Sequence, residues 1–141
     1  MFKKLIIIAV VAMVGSVVFM PEITASMART ALSEKHVHKE WAPKMAYSAA
    51  KINLRMFRYK TSAAILERSI KAWPKAEWQG DAHFQHAISY EKMEQGETAI
   101  GMYKDFLAKY PDHKWKEQAN KPISNIEATL LCASRFRTRR R

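Results

Sequence analysis

The sequence predicts an all-α fold. Apolar side chains recur at spacings of three and four residues, and no segment alternates with a period of two, so the pattern is helical. Glycine is rare, and only Gly80, Gly96 and Gly101 lie beyond the first 20 residues. A chain of 141 residues corresponds to about one domain. These observations favour a small helical domain.

The first 28 residues have the order of a secretory signal. Lys3 and Lys4 precede the uncharged apolar run Leu5–Met20, and small residues follow, so cleavage is expected after Ala25 or, slightly preferred, after Ala28. The alternative is an uncleaved inner-membrane anchor over residues 5–20, although the run is shorter than the ~20 residues of a typical span. Either way, the rest of the chain is expected outside the cytoplasm, in the periplasm or cell envelope. No cysteine lies directly after the run, so N-terminal lipidation is not expected.

Proline, glycine and capping residues divide the remaining chain into helices. The polar residues 29–41 form a linker or a short leading helix. Pro43 suits a first turn, Thr61 an N-cap, and Gly96 the left-handed position after a helix. The predicted helices cover residues 43–58, 61–73, 80–95 and 97–109, followed by a short helical piece at 114–119 and a last helix at 122–136. Residues 137–141 form a basic tail that is expected to fray.

Two of these helix pairs have the same outline, since each ends in a proline, Pro74 or Pro111. In the second pair, small and aromatic residues alternate in the order that closely packed paired helices require. Counted back from Pro111, they are Ala87, Tyr90, Ala99, Tyr103 and Phe106. The first pair is degenerate, because Asn53 stands where an aromatic residue is expected.

The segment Ala99–Pro111 (AIGMYKDFLAKYP) resembles the AI-x-x-Y-x-x-FL-x-x-YP units of tetratricopeptide-repeat (TPR) proteins of the bacterial envelope. Those proteins are related to outer-membrane assembly lipoproteins and cell-division coordinators. Gly96 departs from the family pattern by lying two residues after the usual turn glycine, and Phe106 replaces the usual alanine. The resemblance implies a short helical-hairpin solenoid over residues 42–136, with repeats at 42–74 and 80–111 and a capping helix at 113–136.

No group of residues predicts catalysis, a cofactor or a metal site. His83 and His86 are three residues apart on one helix, but no second pair of ligands follows at a usable spacing. His36 and His38 lie in the polar leader. The carboxylates at 91, 94 and 97 have the spacing of a solvated helical face, and no nucleophile elbow or phosphate-binding loop is present. We therefore expect the protein not to be an enzyme.

The single cysteine, Cys132, cannot form an internal disulfide and is predicted to be a buried small side chain. The four tryptophans lie near predicted helix ends. We expect Trp73 to seal a junction between helical pairs, and for Trp78 and Trp115 both a sealing role and a partner-anchoring role stay open.

The formal net charge of +11 favours an anionic partner. Export argues against nucleic acid, which leaves acidic envelope proteins, anionic lipid headgroups reached by the arginine tail, or an anionic polymer. The TPR resemblance implies that the first helix of each pair lines a partner-binding groove. The residues placed there by register are Tyr47, Lys51, Leu54, Arg55, Phe84, Ile88, Glu91 and Lys92.

The predicted function is that of a non-catalytic protein-interaction module, an adaptor or scaffold, in the bacterial cell envelope. The groove would bind a partner segment through aromatic anchors and basic residues that pair with acidic ones. The alternative is a structural subunit of an envelope complex or surface filament, and self-association stays open.

Overall fold

The structure, a computed structural model, describes residues 2–138, with the side chains of residues 2, 5, 7–18 and 133–138 outside the description. This part of the chain contains helices and no strand. The helices are α1 (Phe2–Ala31), α2 (Trp41–Arg55), α3 (Tyr59–Ala72), α4 (Gln79–Lys92), α5 (Gly96–Lys109) and α6 (Lys116–Thr138). The predicted all-α class is confirmed.

The helices pack in chain order. Each contacts the next one, and α2 also contacts α4, the first helix of the following pair. Short connections make successive helices antiparallel, so α2–α3 and α4–α5 are stacked hairpins. Packing of each hairpin on its sequence neighbour is the arrangement of a helical solenoid, and the predicted TPR-like architecture is confirmed.

The two hairpins turn in the same way. After α2, Phe57 has φ 58° and the Arg58 N–H donates to the Asn53 carbonyl at 2.9 Å. After α4, Glu94 has φ 61° and the Gln95 N–H donates to the Tyr90 carbonyl at 3.1 Å. Both turns are therefore Schellman motifs, closed by a residue in the left-handed region.

Gly96 is not the left-handed residue that the sequence predicted. It begins α5 and has no positive φ, and Glu94 occupies the left-handed position instead. The reason for a glycine at 96 is close packing, because an added Cβ would lie 2.7 Å from Cγ2 of Ile126 on α6. Glycine therefore lets α6 approach α5.

The connections between hairpins also repeat. The N–H groups of Lys39, Ala76 and His113 each donate to the carbonyl three residues earlier, at 2.9, 3.1 and 3.2 Å. The next helices begin beside Trp41, Trp78 and Trp115, three tryptophans spaced evenly by 37 residues. The segment before α2 thus has the backbone of an inter-hairpin turn, and α1 takes the position of a preceding second helix.

The end of α1 belongs to the core. Thr24, Ala28 and Ala31 are buried, and Ala28 packs with Ala49 and Ala50 of α2. The predicted cleavage points after Ala25 and Ala28 therefore lie inside a packed helix. Pro21 lies within the same helix.

The side chains of most of the predicted apolar run, and those of the arginine-rich tail, are not among those that the structure describes. Among the residues that the structure does describe, no helix has the length and apolar character of a membrane span.

The last helix differs from its prediction in two respects. The expected break before Pro122 is absent, since Pro122 lies inside the continuous helix α6. The predicted burial of Cys132 is wrong, because Cys132 is exposed. The packed part of α6 includes Ala119, Ile123 and Ile126, and the helix continues beyond them.

Candidate partner-binding groove

The eight predicted groove residues lie on α2 and α4, the first helices of the two hairpins. They form four pairs of equivalent positions, each pair separated by 37 residues, as are the two proline stops. The two helices meet at a hydrogen bond from Gln85 Nε2 to the Tyr47 hydroxyl, 2.9 Å long. The structure thus gives the α2 and α4 residues matching positions on adjacent helices.

Tyr47 is part of the wall between the hairpins. Its ring stacks on Trp78 with centroids 5.0 Å apart and an interplanar angle of 8°. Lys51 Nζ lies 5.5 Å from the centre of the same ring, a cation–π distance. Burial, together with the charge of Asp81, raises the pKa of Tyr47 to about 12, so the phenol stays neutral at physiological pH.

Phe84 has the equivalent position in the second hairpin and is more deeply buried, at 8% exposure. It stacks on Trp115, with centroids 5.4 Å apart and an angle of 5°. In each hairpin, an aromatic ring of the first helix is therefore covered by the tryptophan that directly precedes the first helix of the following unit. Trp78 and Trp115 thus join successive hairpins.

Trp73 also joins two parts of the chain. Its indole N–H donates to the Val37 carbonyl at 2.8 Å, which ties the end of α3 to the turn before α2. The predicted sealing role of Trp73 is confirmed.

A cavity of about 330 Å³ separates α4 from α6 at the groove. Ile88, Glu91 and Lys92 line it from α4, opposite Lys121 and Asn125 of α6. The capping helix thus forms one side of the groove beside the second hairpin.

Glu91 has an internal partner in this cavity. Its Oε2 accepts a hydrogen bond from the Tyr103 hydroxyl at 2.6 Å, while Oε1 lies 3.8 Å from Lys92 Nζ. Burial, together with the hydrogen bond to Glu91, raises the pKa of Tyr103. Glu91 therefore fixes the groove wall to the core of the second hairpin.

The remaining residues are more accessible. Arg55 and Lys92 are exposed at the ends of α2 and α4, and Lys51, Leu54 and Ile88 are half-buried. These helices thus carry partly exposed apolar side chains, Leu54 and Ile88, together with the basic Lys51, Arg55 and Lys92.

The two histidines of α4 pack against aromatic rings. His83 lies 5.6 Å from Tyr110 and His86 lies 5.2 Å from Tyr90, measured between ring centroids. Burial lowers the pKa of both imidazoles, so both stay neutral at pH 7. In the described part of the chain, no group of His, Cys, Asp or Glu side chains has an arrangement suited to a metal ion.

The sequence reasoning missed Asp81, which connects α4 to the start of α6. It accepts hydrogen bonds from the Trp115 indole and from Lys114 Nζ, the latter at 3.1 Å. The signal that could have found this junction is the 37-residue spacing of the tryptophans, which places Trp115 one repeat after Trp78.

Comparison with known proteins gives one family. Residues 39–120 match the YfiO family, described as an outer membrane lipoprotein. A comparison with curated proteins gave no match. The matched region begins just before Trp41 and ends within α6, so it contains both hairpins and more than half of the chain. The chain therefore belongs to the YfiO family of outer membrane lipoproteins.

Proposed function

We propose that this protein is a non-catalytic adaptor of the bacterial envelope, which binds a segment of another envelope protein in the groove along α2 and α4. The family match supports the envelope location. The observation that carries the proposal is the partial exposure of Leu54 and Ile88 on helices that also carry Lys51, Arg55 and Lys92. In the proposed groove, the two apolar side chains are the floor and the basic ones the rim.

The shape of this surface suits an amphipathic, acidic segment. Leu54 and Ile88 lie on neighbouring helices, whose axes are typically 8–10 Å apart. An extended chain covers that distance in about three residues. A partner with apolar residues at this spacing and flanking Asp or Glu would meet both the floor and the rim.

The cavity between α4 and α6 gives the groove a recess at its second end. Ile88 forms part of its wall, and Lys92 and Lys121 add positive charge. An apolar side chain of the partner would fill the recess, with an acidic neighbour beside the two lysines.

Site-specific photo-cross-linking in intact cells tests the groove. A photoreactive residue at Leu54 should form adducts with one or a few envelope proteins. The double variant Lys51→Glu/Arg55→Glu should lose these adducts while the far-UV circular dichroism stays unchanged. The matched control reverses the charge of two lysines that are exposed in the inter-hairpin turns, Lys39→Glu and Lys75→Glu, and should keep the adducts. Adducts that persist in the groove variant would overturn the proposal.

A structural-subunit role is the second candidate. Leu130, Leu131 and Cys132 are all exposed near the end of α6, with Leu131 at 62% exposure. Such an apolar patch fits contact between copies or with a fixed neighbour. Light scattering of the purified full chain separates the candidates, since a monomer favours the adaptor and self-assembly favours the subunit.

The packing of α1 supports retention of the N-terminal segment. Removal of residues 1–28 would take Thr24 and Ala28 out of the core and uncover Ala49 and Ala50. The apolar run would then hold the domain at a membrane. The intact mass of the native protein in the membrane fraction tests this, because a mass that starts after Ala25 or Ala28 would show cleavage.

A further inference from the structure

The turn between α2 and α3 carries an exposed aromatic ring in a strained backbone conformation. Phe57 is 77% exposed, the highest value among the described large apolar side chains, and its φ is 58°. The left-handed conformation brings the Cβ of a non-glycine residue too close to the following carbonyl oxygen and is therefore strained. The ring touches Tyr59 edge-on, at 6.2 Å between centroids, and lies otherwise toward solvent. Folding stability alone gives no reason for phenylalanine here.

The same turn is rich in positive charge. We call residues 55–60 (RMFRYK) the basic turn. Within the described part of the chain, no carboxylate lies at salt-bridge distance from Arg55, Arg58 or Lys60. Arg55 and Lys60 are exposed and therefore available to an external anion, whereas Arg58 is half-buried and its Nη1 is enclosed.

The equivalent turn of the second hairpin, residues 92–97 (KMEQGE), has the same backbone and the opposite charge balance. Glu94 occupies the position of Phe57, and Glu97 follows Gln95 and Gly96. Because the backbone geometry accepts either set of side chains, the fold does not require the basic and aromatic residues of the first turn. Their presence beside α1 needs another cause.

The basic turn lies level with the point where the apolar run of α1 ends. Ala28 packs with Ala49 and Ala50, and α1 and α2 are antiparallel. At about 1.5 Å per residue, the step from Ala50 to Phe57 covers the same height as the step from Ala28 back to Pro21. Pro21 directly follows the run Leu5–Met20.

We propose that the basic turn lies against an anionic phospholipid surface, with Phe57 in the membrane interface and the cations at lipid phosphates. This inference rests on the anchoring of α1 described above. Arg55 also lies at the end of the proposed groove, whereas Phe57 and Lys60 are not among the groove residues. Phe is among the apolar side chains that interfacial segments insert below the headgroups, and Lys and Arg are attracted to an anionic surface. A run shorter than the hydrocarbon thickness draws its flanking residues toward the headgroups.

The end of α6 lies on the same side of the molecule. α6 runs parallel to α2 and α4, since one antiparallel helix separates each pair, and it has 23 residues where α4 has 14. The end of α6 therefore lies at the end of the domain that carries the basic turn. A lipid surface at this end would meet both.

Depth-dependent quenching in vesicles tests the inference with the full chain. A fluorophore is attached to Phe57→Cys in a Cys132→Ser background, and the protein is reconstituted in phosphatidylcholine with or without phosphatidylglycerol. Headgroup-labelled nitroxide lipids should quench the label strongly in the anionic vesicles. The control label at Lys75→Cys, exposed at the other end of α3, should stay unquenched. The added reversal Lys60→Glu should lower the quenching at 57 toward the control.

The outcomes separate this inference from the proposed function. Flotation of the protein with vesicles while the label at 57 stays unquenched would overturn this inference and leave the anchoring intact. Failure to float would overturn both. Quenching that is the same without phosphatidylglycerol would overturn the anionic-lipid assignment. A photoreactive residue at 57 that forms protein adducts in cells, and none with lipid, would replace the membrane by a protein partner.

Discussion

The two hairpins share a backbone but not a core. At the turn, φ is 58° for Phe57 and 61° for Glu94, and at the following helix ends φ and ψ are −131° and 68° for Trp73 against −132° and 65° for Tyr110. Inside, the first hairpin is filled by small, polar and aliphatic residues, whereas the second also buries the aromatic rings of Phe84, Tyr103 and Phe106. The equivalent buried positions include Leu66 and Tyr103, and Ser69 and Phe106.

This difference shows that the hairpin geometry and the core composition are specified separately. The turns and proline stops set the backbone, and the buried hydroxyls of the first core find backbone acceptors. Ser62 and Ser69 donate to the carbonyls of Ala50 and Ile65, at 3.0 and 2.7 Å. The small side chains of the first hairpin also leave room for α1, whose Ala28 and Ala31 pack closely on α2.

The largest expected effect on folding stability comes from truncating the side chain at one pair of equivalent core positions, Phe106 and Ser69. Phe106 is fully buried and contacts the rings of Phe84, Tyr110 and His113, so Phe106→Ala should lower the free energy of unfolding by about 3–5 kcal/mol. Ser69→Ala should cost about 1 kcal/mol or less, since it removes one hydrogen bond to the backbone. Urea unfolding measures both. Equal losses would show that the two cores do not differ in this way.

The second prediction tests whether α1 is part of the first core. Ala31 is fully buried against Ala42 and Ala46, so Ala31→Leu should overfill the contact and cost about 1–3 kcal/mol. Arg29→Leu, on the exposed side of the same helix, should change stability by about 0.5 kcal/mol or less. Thermal and urea unfolding of the full chain give the comparison. A neutral Ala31→Leu would separate α1 from the domain.

The third prediction uses the strain that the two turns share. Phe57→Gly and Glu94→Gly should each stabilise the protein by about 0.5–1 kcal/mol, because glycine accepts positive φ without steric cost. Gly96→Ala should destabilise, because its Cβ would lie 2.7 Å from Ile126. Urea midpoints measure all three. A stabilising Gly96→Ala would contradict the close-packing role of this glycine.

The smallest expected effect is a difference in acid sensitivity. His83 and His86 stand where the first hairpin has Ala46 and Ala49. Their pKa values are lowered by burial, so the unfolded chain takes up protons first as the pH falls below about 6.5, and folding stability decreases there. His86→Gln should flatten the decline of the unfolding midpoint between pH 7 and 5. An unchanged slope would mean that His86 protonates without cost.

The sequence predicted the parts that depend on local signals. The helices and hairpins followed from apolar spacing and from Pro74 and Pro111, and the positions of Tyr103 and Phe106 in the core followed from the repeat pattern. The residues selected by register lie on α2 and α4, the first helices of the two hairpins. The use of these residues in partner binding stays a prediction.

The predictions that were wrong concern residues whose roles depend on contacts between helices that are distant in sequence. Gly96 was assigned to a left-handed turn because that is the common reason for a glycine, whereas its contact with Ile126 appears only once α6 is placed. Cys132 was assigned to the core because its sequence neighbours are apolar. These neighbours do not show that α6 extends beyond the helices against which it packs. The contact of Ala28 with α2 was hidden because alanine near an apolar run is also typical of a cleavage site.

The continuity of α1 has a mechanical consequence. No loop interrupts this helix between Phe2 and Ala31, so its N-terminal half and its packed C-terminal half act as one lever. Pro21 is the weakest point of this lever because proline removes a backbone hydrogen bond. A tilt at one end of this lever becomes a rotation of the groove at the other. Proteins held in one membrane in this way would present their grooves at a common height and angle, and partners would search for them in a plane.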